Sequence, residues 1–175
     1  QVRRAWGFLS SDFLVFALLC GGLGGAGYWY RGHATEKRAV CVEIVQGDRA
    51  FIRPAYQRNW TAIGARNDGS TCASGSLVML NELDSLQTRN GTQALLTFWD
   101  NSTVHVFENT ELQMTELRTT QYISRASAVS LKQVRGLIRV TLEPGDYRRS
   151  RFQVLAGEAT VLMKEGEGSV GGSFL

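Results

Sequence analysis

Proline, histidine and cysteine are scarce in this chain, and each scarcity excludes a class of structure or function. The 175 residues include 2 prolines, 2 histidines and 3 cysteines, against 19 glycines. So little proline indicates flexible glycine turns and no rigid linkers. Neither His33 nor His105 has a second histidine or a cysteine at metal-ligand spacing, so the sequence predicts no metal site.

The side chains that carry out acid–base or nucleophilic chemistry are isolated from one another along the sequence. His105 stands between two valines in a strand pattern, with no nucleophile pattern nearby. Asp100 belongs to a turn sequence, where a carboxylate commonly bonds the turn backbone. The glycine-rich residues 165–172 lack the Lys followed by Ser or Thr of a phosphate-binding loop. We therefore expect no catalytic residue, no cofactor, no small-molecule substrate and no enzymatic activity.

Positive charge is in modest excess over negative charge. The formal net charge is +3, and the 43% hydrophobic and 20% charged content is ordinary for a globular protein. The one dense cationic run, residues 147–151, falls between two apolar strand patterns and is predicted to be a solvated loop. Nucleic-acid binding needs a larger basic surface or stacking aromatics beside it, so we expect no nucleic-acid partner.

Charge is missing altogether from residues 13–30, an apolar stretch near the N-terminus. Its 18 residues are close to the minimum that crosses the hydrocarbon core as a helix. Asp12 and Arg31 bound it, and Trp6 and the Tyr28-Trp29-Tyr30 cluster suit the two membrane interfaces. The sequence therefore predicts a single transmembrane helix.

Two other interpretations of this stretch stay open. Arg3 and Arg4 before an apolar run also fit a cleaved signal peptide. A lipoprotein signal is suggested by Cys20, although the residue before such a cysteine is normally small and Leu19 is not. A lasting membrane span is the interpretation that we carry forward.

Five glycines lie within the predicted span, more than a plain tether needs. Gly21 and Gly25 are at i, i+4 spacing, which places them on one face of a helix. Because small residues let two helices approach closely, we expect this pair to pack against a neighbouring membrane helix.

Topology is indicated by basic residues and by cysteines. Basic residues flank both ends of the span in nearly balanced numbers: Arg3, Arg4, Arg31, Lys37 and Arg38. Cys41 and Cys72 lie beyond the span, and a disulfide between them would require an oxidising compartment; whether they pair stays open. Together these features favour a cytoplasmic N-terminus, a cell-membrane location and an extracytoplasmic body.

After Arg31 the pattern is that of consecutive short β-strands. In residues 92–107, two apolar runs are separated by Asp100-Asn101-Ser102, which predicts a hairpin. Residues 38–45, 50–53, 77–80 and 159–163 also read as strands, and residues 57–76 as a long loop. In residues 134–142, alternation predicts Val134, Gly136, Ile138, Val140 and Leu142 inward and Arg135, Arg139 and Thr141 outward. Strands at this spacing, with no helical period, indicate a mainly β fold of sandwich, roll or small-barrel type.

The order of these elements resembles that of the FecR-like domain. The matching places are 84–88 (Asp-Ser-Leu-Gln-Thr), 94–98 (Ala-Leu-Leu-Thr-Phe), 100–104 (Asp-Asn-Ser-Thr-Val), 110–114 (Thr-Glu-Leu-Gln-Met), 135–140 (Arg-Gly-Leu-Ile-Arg-Val), 152–154 (Phe-Gln-Val), 159–161 (Ala-Thr-Val) and 170–174 (Val-Gly-Gly-Ser-Phe). The chain departs from the family at Asn101, where glycine is usual, at Ala156-Gly157, which replaces Thr-Pro, and in an insertion at 165–168.

The resemblance implies a non-enzymatic, extracytoplasmic β module on a single membrane helix. The expected organisation is a stub (1–12), a transmembrane helix (13–30), a linker (31–38) and a β-sandwich or roll-like domain (39–175) with a FecR-like core at about 83–174. The family's signalling role is not carried over, because the chain shows neither the cytoplasmic segment nor the C-terminal signalling region on which that role depends.

Three functions are compatible with this organisation. The first is an adaptor whose β domain binds proteins or other envelope material. The second is an accessory subunit of a larger integral-membrane complex, docked through Gly21 and Gly25. The third, a membrane-tethered hydrolase, rests on fold-level analogy alone.

Overall fold

The computed structural model describes residues 35–64, 78–120, 127–143, 151–163 and 167–172. These residues form β-strands joined by turns and loops, which confirms the expectation of a mainly β protein. None of the described segments contains a helix with the length and apolarity to cross a bilayer. The predicted span, residues 13–30, lies outside the described residues.

The strands follow one another closely along the chain. In order they are β1 (Thr35–Lys37), β2 (Val40–Gln46), β3 (Arg49–Arg53), β4 (Thr61–Gly64), β5 (Val78–Leu80), β6 (Ser85–Gln87), β7 (Gln93–Thr97), β8 (Thr103–Val106), β9 (Glu111–Thr120), β10 (Ser127–Thr141), β11 (Arg151–Ala156), β12 (Ala159–Met163) and β13 (Glu167–Gly172).

Strand β10 is long enough to belong to two sheets at once. Its N-terminal half pairs with β9 and with β11, in a first sheet of order β4-β3-β6-β9-β10-β11-β12. Strand β1 pairs with the far end of β9 in the same sheet. The C-terminal half of β10 pairs with β8 and β13, in a second sheet of order β5-β2-β7-β8-β10-β13. Pairing is antiparallel except between β10 and β11, which run parallel.

A single hydrophobic cluster lies between the inward faces of the two sheets. Its fully buried members come from both: Val40, Leu96, Val104, Val106, Ile138 and Val140 from the second sheet, and Leu86, Leu112, Met114, Leu117 and Leu131 from the first. Burying each such side chain contributes about 1.5–3 kcal/mol relative to leaving it exposed. This shared core fixes which face of each sheet remains available for contact.

The predicted hairpin in residues 92–107 is confirmed. Strands β7 and β8 are paired antiparallel, and Asn101 adopts φ of 65° in the turn between them. The Asp100 carboxylate accepts a hydrogen bond of 3.0 Å from the Ser102 amide. A side chain that bonds its own turn explains why this Asp-Asn-Ser sequence reverses the chain without glycine.

The transfer of β10 between the sheets depends on Gly136. This glycine has φ of +95°, and a Cβ there would lie 2.6 Å from Thr110 Cβ. The Gln133 side-chain amide donates to the Gly136 carbonyl at 2.6 Å. We call the region around Gly136 and Thr110 the crossover. No residue with a side chain fits there without displacing its neighbours.

Hydrogen bonds from two buried threonines support the crossover. The Thr110 hydroxyl accepts from the Leu137 amide at 3.0 Å and lies 3.1 Å from the Leu137 carbonyl. The Thr88 hydroxyl donates to the Phe107 carbonyl at 2.6 Å and accepts from the Thr110 amide at 3.1 Å. These bonds satisfy backbone groups that would otherwise be left unpaired where the strand bends.

The predicted inward position of Val134 is wrong. The register between β9 and β10 shifts between Gln133 and Arg135, so one extra residue changes the alternation at this point. Before the shift the buried residues of β10 are odd-numbered apart from Ser130, and after it they are even-numbered. Val134 is 42% exposed. The later residues Ile138, Val140 and Leu142 are buried as predicted.

Two further elements differ from the expectations. Strand β4 lies within residues 57–76, which were predicted to form a loop, and it pairs with all but the last residue of β3. Strand β1 lies within the segment predicted to be a linker and is tied to β9. Both strands are short and poor in large apolar residues, so they gave no strand signal.

Candidate binding surface

The residues singled out by the sequence lie mostly outside the described part of the chain. Gly21, Gly25 and Cys72 are all outside it, so helix packing and the Cys41–Cys72 pairing stay predictions. Cys41 lies in β2 and is disulfide-bonded. The other two cysteines of the sequence, Cys20 and Cys72, fall outside the described ranges.

His105 lies on the outward face of β8, opposite Val104 and Val106, as predicted. Its ring contacts that of Phe107, with 4.6 Å between centroids. Burial lowers the pKa of His105, and the positive charge of Arg139 lowers it further. Both effects favour the neutral form of the imidazole. Within the described segments, no group of three or more His, Cys, Asp or Glu side chains is placed to hold a metal ion.

A group of arginines and aromatic residues lies on the outer face of the first sheet. Alternation along β3 buries Ala50 and turns Arg49, Phe51 and Arg53 outward. Trp60, just before β4, and Arg89, just after β6, complete the group. We call these five residues the arginine–aromatic face.

Two of the three arginines are held over aromatic rings. The Arg89 guanidinium carbon lies 4.1 Å from the centroid of the Phe51 ring. That of Arg53 lies 4.8 Å from the Trp60 ring, and its Nη2 donates to the Ser85 hydroxyl at 3.3 Å. A guanidinium stacked on a ring is attracted to it and keeps its N–H edges available to a ligand.

None of these arginines has a carboxylate partner within 4.0 Å among the residues that the structure describes. The ion pairs there engage other cations: Lys37, Arg38, Arg118, Arg135 and Arg151. Three guanidinium groups on one face without a paired carboxylate favour the binding of an anion.

A cavity of about 430 Å³ opens beside this face, between the β2–β3 turn and the chain that follows β6. Arg49, Phe51 and Arg89 line it together with Asp48 and Asn90. It therefore offers guanidinium donors, one carboxylate acceptor and one amide. Such a mixture can orient a polar ligand, and the described residues that line the cavity include no nucleophile paired with a base.

The walls of the cavity are held by backbone contacts. A Cβ at Gly47, where φ is +85°, would lie 2.6 Å from the Gly91 carbonyl oxygen, so the two turns pack backbone against backbone. The Gly91 amide donates to the Glu108 carboxylate at 2.7 Å. The hydrogen bond to Gly91 places the Glu108 carboxylate near the cavity.

A larger cavity of about 600 Å³ lies at the start of β2, and its cations are already paired. Arg38 contacts Glu36 at 3.3 Å, and Lys37 contacts Glu82 at 3.6 Å. The cavity therefore lacks the uncompensated charge that distinguishes the arginine–aromatic face.

The sequence interpretation missed this face, although part of the signal was present. The alternation of residues 49–53 already places Arg49, Phe51 and Arg53 on one side of a strand. Trp60 and Arg89 join them only through the pairing of β3 with its two neighbours. Without that pairing, the sequence gives no sign that Trp60 and Arg89 lie beside residues 49–53.

Comparisons of the chain with protein-family models, with curated proteins and with solved structures found no match.

Proposed function

We propose that this chain is a non-enzymatic, single-pass membrane protein whose β domain lies outside the cytoplasm and binds an acidic component of the cell envelope. The observation that carries the proposal is the arginine–aromatic face. Arg49 and Arg53 lie in β3, Arg89 follows β6, and none of the three has a carboxylate partner among the described residues. An anionic partner would supply the missing charge.

The proposed fold is a FecR-like sandwich or roll. Support comes from the resemblance in the order of the sequence motifs and from the mainly β fold with two sheets that share one core. The proposed membrane anchor is residues 13–30, and it is supported by their length and lack of charge.

The direct test is binding of the detergent-solubilised full chain to the isolated envelope of its source organism. The double variant Arg49→Gln with Arg89→Gln removes two guanidinium groups from the cavity. Because hydrogen bonds to charged groups are among the strongest in proteins, we expect affinity for the envelope to fall at least about tenfold.

The matched control is Arg139→Gln with Arg151→Gln. It removes the same charge, and Arg139 also lies over a phenylalanine ring, at 5.9 Å. Arg139 is in the second sheet, and Arg151 begins β11, four strands from β3. We expect this control to bind as the unaltered chain does. Equal losses in both variants would show a general charge effect and reject the face as the contact surface.

A second candidate function is an accessory subunit of an integral-membrane complex. It is favoured by Gly21 and Gly25, whose spacing suits close helix packing. The test is Gly21→Leu with Gly25→Leu, followed by purification from native membranes. We expect the variant to lose its membrane partner; full co-purification would exclude helix docking.

A further inference from the structure

We infer that the ligand of the arginine–aromatic face is a polysaccharide that carries carboxylates, a uronic-acid polymer. The inference rests on the proposed function and assigns the chemical class of its acidic partner. It follows from three properties of the site: the guanidinium groups, the polar groups of the cavity and the row of polar side chains across the sheet.

The guanidinium groups select a planar, charged acceptor. The Arg89 guanidinium carbon lies 4.1 Å from the centroid of the Phe51 ring, and no carboxylate lies within 4.0 Å of this guanidinium among the described residues. A carboxylate fits the edge of a guanidinium with two parallel hydrogen bonds. Arg49 lines the same cavity and adds a second donor group.

The cavity also provides groups that suit hydroxyls. Asp48 is an acceptor, and the amide of Asn90 is both donor and acceptor. A sugar acid presents hydroxyls to such groups while its carboxylate meets the arginines. A phosphate polymer, with a higher density of negative charge, would be repelled more strongly by Asp48. An acidic peptide carries carboxylates but offers backbone N–H groups instead of ring hydroxyls to Asp48 and Asn90, so the two classes are distinguished by titration.

A row of polar side chains continues from the face across the first sheet. Ser85 is buried in this row, so a ligand can reach its other members, Arg53, Gln113 and Lys132, and their alignment favours a polymer over a single sugar. Cross-strand pairing aligns Arg53 with Ser85, Ser85 with Gln113, and Gln113 with Lys132. At about 4.8 Å per strand, the row extends about 14 Å. It consists of donors and acceptors and ends in an exposed Lys132 for which no carboxylate lies within ion-pair distance among the described residues. An extended chain could therefore contact the cavity and this row together.

The test is titration calorimetry on the full chain in detergent with defined polymers. The probes are an oligogalacturonate, a neutral galactose oligomer of the same length, poly-L-glutamate of the same charge and inorganic polyphosphate. We expect the oligogalacturonate to bind at least about tenfold more tightly than each of the other three. Arg89→Gln should remove at least about tenfold of that affinity, whereas Arg139→Gln should leave it unchanged.

Other outcomes would overturn the inference in distinguishable ways. Equal binding of poly-L-glutamate would assign the face to acidic proteins, and equal binding of polyphosphate would assign it to phosphate polymers; both reject the sugar acid and leave the proposed function intact. Equal binding of the neutral oligomer would show that the carboxylate is not recognised. If the envelope binds through Arg49 and Arg89 but the oligogalacturonate does not bind, the uronic-acid inference is wrong and the proposed function stands. If neither binds, both are wrong.

Discussion

At the crossover, Thr88 and Thr110 are buried, and their hydroxyls are hydrogen-bonded to the backbone of Phe107 and of Leu137, respectively. On the arginine–aromatic face, Arg49 and Arg89 are exposed and contact no carboxylate among the described residues. The polar groups of the crossover thus find their partners within the domain. On the face, Arg53 and Arg89 lie over aromatic rings and Arg53 donates to the Ser85 hydroxyl, but none of the three arginines has a carboxylate within 4.0 Å among the described residues.

This difference separates residues that specify the fold from residues that are available for binding. Loss of a hydrogen bond at a buried site leaves its partner unpaired and costs stability, whereas an exposed charge remains solvated when its neighbours change. We therefore expect substitutions at the crossover to lower the free energy of unfolding, and substitutions on the face to lower affinity for a ligand.

The largest loss of stability is expected for Gly136→Ala. Alanine would have to adopt φ near +95° and place its Cβ against Thr110. Left-handed strain and overpacking together cost about 2–5 kcal/mol in the free energy of unfolding. Urea denaturation of the full chain in mild detergent, followed by circular dichroism, measures this loss.

The matched control for that change is Gly91→Ala. Gly91 also has a positive φ, +72°, but a Cβ at this position would meet no atom of the described residues beyond its chain neighbours within 4 Å. Only the backbone strain remains, about 1–2 kcal/mol. If the two variants lose the same stability, close packing at the crossover is not what requires glycine at position 136.

A smaller loss is expected for Thr110→Val, which keeps the shape of the side chain and removes its hydroxyl. The Leu137 amide, which donates to that hydroxyl at 3.0 Å, then loses its acceptor. An unpaired buried group costs about 1–3 kcal/mol. Thermal unfolding of the full chain should show the decrease. Thr103→Val, at a half-buried position of β8 on the outward face, is the control and should be close to neutral.

Glu82 combines features of both regions. It carries a charge, as the arginines of the face do, and it has partners within the domain, as the threonines of the crossover do. Its carboxylate lies 3.3 Å from Arg118 Nε and 3.6 Å from Lys37 Nζ. Burial raises the pKa of Glu82, but hydrogen bonds from Arg118 and the Leu117 amide and the two positive charges outweigh it, so the pKa lies below its ordinary value of 4.5. The folded state therefore favours the ionised carboxylate.

Replacement of Glu82 by glutamine should lower stability at pH 7 by about 1–2 kcal/mol, because the Arg118 side of the pair is partly solvated. A lowered pKa stabilises the fold above pH 4.5, and that contribution disappears as the pH falls through the folded-state pKa. The difference between the unaltered chain and Glu82→Gln should therefore shrink below about pH 4.5. A difference that stays constant from pH 7 to acid would show that ionisation of Glu82 does not contribute.

Some parts of the fold could be predicted from residues that are neighbours in sequence. The hairpin of β7 and β8 follows from alternation and from an aspartate that bonds its own turn. The crossover could not be predicted, because it depends on Gly136 meeting Thr110, 26 positions earlier in the sequence. The wrong orientation of Val134 has the same origin: a register shift is a property of two paired strands, not of one.

The binding surface was harder to predict than the fold for a similar reason. Arg49, Phe51 and Arg53 share a face by alternation alone, but nothing in their sequence shows that Arg89 lies over Phe51. The parallel pairing of β10 with β11 is equally non-local. Sequence periodicity identifies which residues face outward, and strand order decides which of them become neighbours.

The smallest loss of stability is expected for Arg49→Gln with Arg89→Gln, the same change that should lower affinity for the envelope at least about tenfold. Arg49 is exposed, and the contact of Arg89 with Phe51 contributes about 0.5–1 kcal/mol at such a site. The free energy of unfolding should therefore fall by less than about 1 kcal/mol in the same urea titration. A loss as large as that of Thr110→Val would mean that these arginines hold the sheet together. In that case their lack of carboxylate partners would no longer indicate a ligand, because the charges would already be used within the fold.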